Sequence, residues 1–332
     1  MPRVIFGVII LVGAAIATNA VAQSRDQNWQ RCAGENADLR IAACTAIIQS
    51  KQEVPENLAI AFYDRGNAYE ANHQYDAAIK DYDEAVKLKP AFAEAFDNRG
   101  NAYYFERKYE RAISDYSETI KLKPDYAKAF NNRGVAYHDE GRYDRAIQDY
   151  DRAIKLEPSF AEAFNNRGLA YEAKGQHDRA IQDYNQAIRL IPSFALVFDD
   201  RGIAYRHKGQ FDRAIQDFDR AIEIKPDYGF AFYNRGLAYE GKRDYDRAIE
   251  DYDQAIRLEP NYANAFYNRG NTYSFKGEYD RAIHDYNQAI KLKPDYAAAF
   301  YHRGIAERAQ GNAAAGADDI ATAKHLDSKI GK

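Results

Sequence analysis

The sequence predicts an all-α protein: an α–α superhelix, or solenoid, of about eight helix–turn–helix repeats of 34 residues. Three observations carry this. Arg-Gly recurs at Arg65-Gly66, Arg99-Gly100, Arg133-Gly134, Arg167-Gly168, Arg201-Gly202, Arg235-Gly236, Arg269-Gly270 and Arg303-Gly304. A proline keeps the same period at Pro90, Pro124, Pro158, Pro192, Pro226, Pro260 and Pro294. Between these markers, apolar residues follow helical spacing. A fixed period of this length marks a repeat array, in which neighbouring copies build one continuous core.

The first 22 residues stand outside the repeat. Arg3 gives a positive start, Val4 to Ala17 is apolar, and Ala20-Val21-Ala22 has the small-residue form of a signal-peptidase site. Residues 1–22 are therefore expected to be a signal peptide, with an uncleaved membrane anchor as the alternative. Cys32 and Cys44 follow closely and are the only cysteines. In an exported chain an even count favours a disulfide, against two free thiols. Residues 23–55 are expected to form an N-terminal capping half-repeat around this pair. Asp38 to Ile48 reads as a second helix behind a truncated first one.

Within a repeat, Phe130, Gly134 and Tyr137 fall on one helical face. Gly141 suits the left-handed position that ends a helix. Tyr143, Ala146, Ile147, Tyr150, Ala153 and Ile154 mark a second amphipathic face, and Pro158 keeps that helix from continuing. The small residues Gly134, Ala146 and Ala153 recur because the helices approach closely. Eight such units are expected over residues 56–327. The last is degenerate and capping, with Glu307, Ala313, Gly316 and Ser328 at the marker positions, followed by a tail at 328–332.

Phe-x-x-Arg-Gly-x-x-Tyr, then Ala-x-x-x-Tyr, then Pro resembles the tetratricopeptide repeat, from residue 59 to about 327. The resemblance implies antiparallel helix pairs stacked as a right-handed superhelix, with a concave groove lined by the first helices. One departure stands out: Arg, not Leu, precedes every Gly. Its expected partner is the second-helix Asp at Asp81, Asp115, Asp149, Asp183, Asp217, Asp251, Asp285 and Asp319, giving structural ion pairs such as Arg133–Asp149 and Arg167–Asp183.

Two residues before each Gly lie Asp64, Asn98, Asn132, Asn166, Asp200, Asn234, Asn268 and His302. In members of this family that bind extended peptides, asparagines at this register line the groove and grip the peptide backbone. An amide both donates and accepts, so it matches a peptide without demanding a sequence. Asn98, Asn132, Asn166, Asp200, Asn234 and Asn268 are therefore candidate partner contacts, and so are Tyr233, Tyr267 and Tyr301, one residue earlier. Hydrogen bonding within the array, preserved by repeat duplication, stands beside the first reading, and packing on the adjacent repeat beside the second. The Lys, Asn and Arg set with which some relatives clamp a chaperone tail is absent.

Other classes are excluded. The net charge of -4 and the lack of a basic stripe argue against nucleic acid. The seven histidines show no ligand spacing, and no phosphate loop or nucleophile motif occurs, so no metal, cofactor or catalytic residue is expected. The resulting expectation is a non-catalytic, exported (periplasmic or secreted) scaffold of bacterial type. It binds protein or peptide partners in its groove and has no membrane span in the mature chain. A self-associating, homo-oligomeric envelope element is the alternative.

Overall fold

Each repeat starts from a pair of dipeptides that read one another. In the computed structural model, which describes residues 24–331, Arg65-Gly66 on one helix faces Asp81-Tyr82 on the next. Arg65 Nε and Nη2 donate to the Asp81 carboxylate, both at 2.7 Å. A Cβ on Gly66 would sit 2.6 Å from the Tyr82 ring, so only glycine admits that ring. The described residues form eighteen helices and no strand, so the all-α solenoid of helix pairs stands. The expected signal peptide at 1–22 lies outside the described residues. Two compact units are distinguished, one ending at Pro158 and one beginning at Ser159.

The first unit contains a helical stretch at 24–32 (α1), then α2 (Ala37–Ser50), α3 (Pro55–Ala71), α4 (Tyr75–Leu88), α5 (Ala93–Phe105), α6 (Tyr109–Leu122), α7 (Ala127–Asp139) and α8 (Tyr143–Leu156). Cys32 and Cys44 are joined as a disulfide and fully buried beside Ala43, Ile47 and Ala61. Glu53 gathers this end together: its carboxylate accepts from Arg25, Trp29 and Asn57, and the Arg25 bond draws its pKa down to about 2. Asn36 caps α2 by accepting from the Leu39 amide at 3.0 Å, and Pro55 opens α3 where no amide hydrogen is needed.

The second unit contains α9 (Ala161–Ala173), α10 (His177–Leu190), α11 (Ala195–His207), α12 (Phe211–Ile224), α13 (Gly229–Gly241), α14 (Tyr245–Leu258), α15 (Ala263–Phe275), α16 (Tyr279–Leu292), α17 (Ala297–Ala309) and α18 (Ala313–Leu326). Tyr184, Phe218, Tyr252 and Tyr286 repeat the ring-on-glycine contact. In the last pair the ring is gone, and Gly304 and Gly316 bring the two backbones together instead. The second helices from α4 to α16 carry Asp or Glu in the first turn and, except α12, Lys or Arg in the last, which complements the helix dipole.

The Arg–Asp contact recurs in all eight copies, with both bonds at 2.6–2.8 Å, including Arg133–Asp149 and Arg167–Asp183. The remaining Nη1 of Arg65, Arg99 and Arg133 reaches Thr45, Asp83 and Ser117 of the preceding copy. Arg201, Arg235 and Arg269 reach Asn185, Asp219 and Asp253 in the same way. Each guanidinium also lies 5.2–5.8 Å from the ring of the Phe three residues earlier.

The turn within each pair needs a left-handed residue. Gly141, Gly175, Gly209, Gly277 and Gly311 supply it, but His73, Arg107 and Arg243 hold the same register at φ 57–62°. A side chain there costs about 1 kcal/mol relative to glycine. Arg107→Gly should therefore raise stability by about 1 kcal/mol, while Gly141→Ala should lower it by a similar amount. Thermal unfolding followed by circular dichroism checks both, and a fall in melting temperature for Arg107→Gly would contradict this account of the turn.

Candidate functional site

On each first helix, the residues at three before, one after and four after the glycine share a face, because they lie four and three apart. In the first unit these stripes read Tyr63–Asn67–Glu70, Asp97–Asn101–Tyr104 and Asn131–Val135–His138. In the second they read Asn165–Leu169–Glu172, Asp199–Ile203–Arg206, Tyr233–Leu237–Glu240, Tyr267–Asn271–Ser274 and Tyr301–Ile305–Arg308. The chemistry changes from one stripe to the next, while the scaffold beneath it does not.

Five of the eight residues two before the glycine are asparagines, and the amides of Asn98, Asn132, Asn234 and Asn268 bond to the preceding repeat. Asn98 Nδ2 donates to Tyr63 Oη at 3.1 Å and to Asn67 Oδ1 at 2.8 Å, both on the preceding repeat. Asn132 reaches Asn101 at 3.3 Å, Asn234 reaches both oxygens of Asp199 at 3.0 and 3.1 Å, and Asn268 reaches Tyr233 Oη at 2.8 Å. His302 continues the pattern with Tyr267 Oη at 3.0 Å. These amide donors stitch one stripe to the next. Asn166 is half-buried on α9 at the same register. The tyrosines are half-buried as well. Tyr233 lies 4.7 Å from the ring of Tyr262, Tyr267 lies 4.9 Å from that of Tyr296, and Tyr301 meets His302 edge-on at 5.5 Å.

Three carboxyls on or beside these stripes are buried. Burial pushes Asp97 up to about 6, against the pull of Lys128 and Asn132. It pushes Asp199 to about 6, against Asn234, Tyr228 and Arg206. Asp200 rises to about 7 through burial and then the neighbouring charge of Asp199, against a hydrogen bond from Asn165. Oδ1 of Asp97 and Oδ2 of Asp200 have no hydrogen-bond partner. Asp97 and Asp199 were legible in the sequence as acids where siblings carry Tyr or Asn, but their burial was not.

Two further features of the second unit were not foreseen. A cleft of about 650 Å³ is lined by Arg206, Leu237, Glu240, Tyr245, Asn268 and Phe275, with Phe275 67% exposed at its edge. Glu172, His177 and His207 converge, with three potential metal-ligating atoms within 4.8 Å of one another. Linear spacing hid this group because it spans two repeats. Its signal was a His standing where the other second helices begin with Tyr, Phe or Ala.

Sequence profiles of one family match the chain. The profile described as TPR repeat matches residues 107–141, 136–175 and 202–242, and that described as Tetratricopeptide repeat matches 59–92, 161–194, 230–262 and 263–296; together they cover more than half of the chain. A comparison with curated proteins returns no match. Among solved structures, a tetratricopeptide repeat protein from Parabacteroides merdae is similar at a TM-score of 0.60 and 18% identity, over 77% of this chain and 98% of that one. A chain of the APC/C hetero-tetramer Cut9–Hcn1 gives 0.60 at 15% identity, over 89% and 57% respectively. The pilF protein of Pseudomonas aeruginosa gives 0.54 at 19%, over 62% and 94%. At these identities the likeness is one of fold.

Asp200→Asn places at this register the residue that most sibling repeats carry. A carboxyl whose pKa is raised on folding adds stability below its unfolded value near 4, and that stability is lost as pH rises through about 7. The substitution should therefore stabilise the protein at pH 8 by about 2 kcal/mol more than at pH 5. Chemical denaturation at the two pH values checks this, and an equal effect at both would contradict it.

Proposed function

We propose, from the premise that this chain belongs to the tetratricopeptide repeat family, that it is a protein-interaction scaffold whose partner segment lies along the first-helix stripes of the second unit. The family's fold is in general a non-catalytic scaffold. The cleft between α11, α13 and α15 is the observation that carries the finer reading. It joins an exposed Phe275 and Tyr245 to Arg206, Glu240 and the ladder residue Asn268. An apolar anchor site beside a few convergent polar groups is the usual form of a binding cleft. The ladder asparagines contribute by holding the stripes in register, since their amide donors are committed to neighbouring repeats. Tyr233, Tyr267 and Tyr301 offer area and hydroxyls beside them.

Export belongs to the same reading. The leader-like segment through Ala22 and the closed Cys32–Cys44 disulfide both suit an oxidising compartment. Among the described residues, no helix is long and apolar enough to cross a membrane.

A photo-cross-linking residue placed at Phe275 should capture a partner protein, whereas one at Lys291, exposed on the second helix α16, should not. Phe275→Ala combined with Arg206→Ala should weaken that complex about tenfold or more. Equal capture from both positions would overturn the reading. Cross-links from position 275 to a second copy of the chain would favour self-association instead.

A further inference from the structure

At four junctions between repeats, the first residue of one second helix meets the last residue of the next repeat's first helix. Tyr75 stacks on Phe105 at 5.1 Å and Tyr245 on Phe275 at 5.8 Å. Phe211 fills the space beside Gly241. At one junction both partners are histidine: His177 and His207, with ring centroids 5.4 Å apart. Glu172 lies between them. Nδ1 of His177 is 2.9 Å from both of its carboxylate oxygens, and Nδ1 of His207 bonds Oε1.

The position of Glu172 departs from what its siblings do. Glu70 and Glu240 occupy the same register and accept the hydroxyl of the buried Tyr82 and Tyr252, both at 2.8 Å. Where an Asn follows the glycine, it also accepts that hydroxyl: Asn67 shares Tyr82 with Glu70, and Asn101 and Asn271 take the hydroxyls of Tyr116 and Tyr286. In the repeat of Glu172 that residue is Leu169, so Glu172 is the acceptor the fold supplies. It faces the histidines instead, and the fully buried Tyr184 hydroxyl is left without a partner. An orphaned buried hydroxyl costs stability. The repeat bears that cost where a carboxylate and two imidazoles meet.

We propose that Glu172, His177 and His207 form a binding site for one divalent transition-metal ion of the zinc class, joining two adjacent repeats. Two imidazoles and one carboxylate suit zinc, nickel or copper and disfavour magnesium and calcium, which take oxygen ligands. Three protein ligands leave a fourth position for water. Ligation uses the Nδ1 lone pairs, so each neutral imidazole carries its proton on Nε2. For His207 this displaces the Arg206 guanidinium, whose Nη2 lies 3.2 Å from Nε2. A solvent-open hollow lined by His177, Asp178 and Lys208 gives access.

The test uses the chain prepared without a histidine tag and stripped with a chelator. Zinc chloride is titrated calorimetrically, and cobalt(II) absorption reports coordination. The wild type should bind one ion more than His177→Tyr, with a zinc-dependent rise in melting temperature that magnesium does not reproduce. His177→Tyr restores the residue of the sibling repeats, so it should fold and melt normally without metal. His207→Ala provides a second variant at an exposed position. Each should weaken the site at least about 100-fold. Equal zinc uptake by wild type and both variants, or no uptake by the wild type, would overturn the proposal.

Discussion

The arginine fork is the interaction on which the helix pairing depends. A guanidinium has five N–H donors in a fixed plane. Here Nε and Nη2 close on the Asp of the same repeat, Nη1 reaches the preceding repeat, and the plane lies near a Phe ring. The side chains are 15–20% exposed for the arginines and 2–12% for the aspartates. Charges buried to this extent are tolerated when paired and fully hydrogen-bonded. Lysine offers a point charge with no fork, so it would leave one of the two directions unserved.

Arg and Gly are adjacent because they read adjacent residues. Arg235 takes Asp251 and Gly236 takes the Tyr252 ring, so a slip of one residue would break both contacts at once. The pair thus sets distance and register together. The alanines, buried to 0% exposure along the same seams, permit the approach but do not specify it. With register held beneath, the stripes above are free to vary. Within the second unit the stripe residues pass from Asp199 and Arg206 to Tyr233, Tyr267 and Tyr301 with no change in the framework.

Much of this was legible in the sequence, and the reason is the period. A contact repeated every 34 residues shows itself as a repeated residue pair, so the helices, their turns and the Arg–Asp partnership could be read directly. Contacts made once could not. The Glu172, His177 and His207 group needs the fold to bring residues of two repeats together. The asparagine register was visible, but not the direction of its amides, which run back 31 or 35 residues into the array. Burial of Asp199 and Asp200 likewise follows from packing, and no local pattern announces it.

The most direct measurement is a double-mutant cycle on Arg235 and Asp251, with stability taken from chemical denaturation. Arg235→Leu, which installs the residue the wider family carries, strands a buried carboxylate and should cost about 3–5 kcal/mol. Adding Asp251→Asn to that variant should recover much of the loss, giving a coupling of at least about 2 kcal/mol. Additive effects of the two substitutions would mean that the fork does not couple these helices, and would contradict the account.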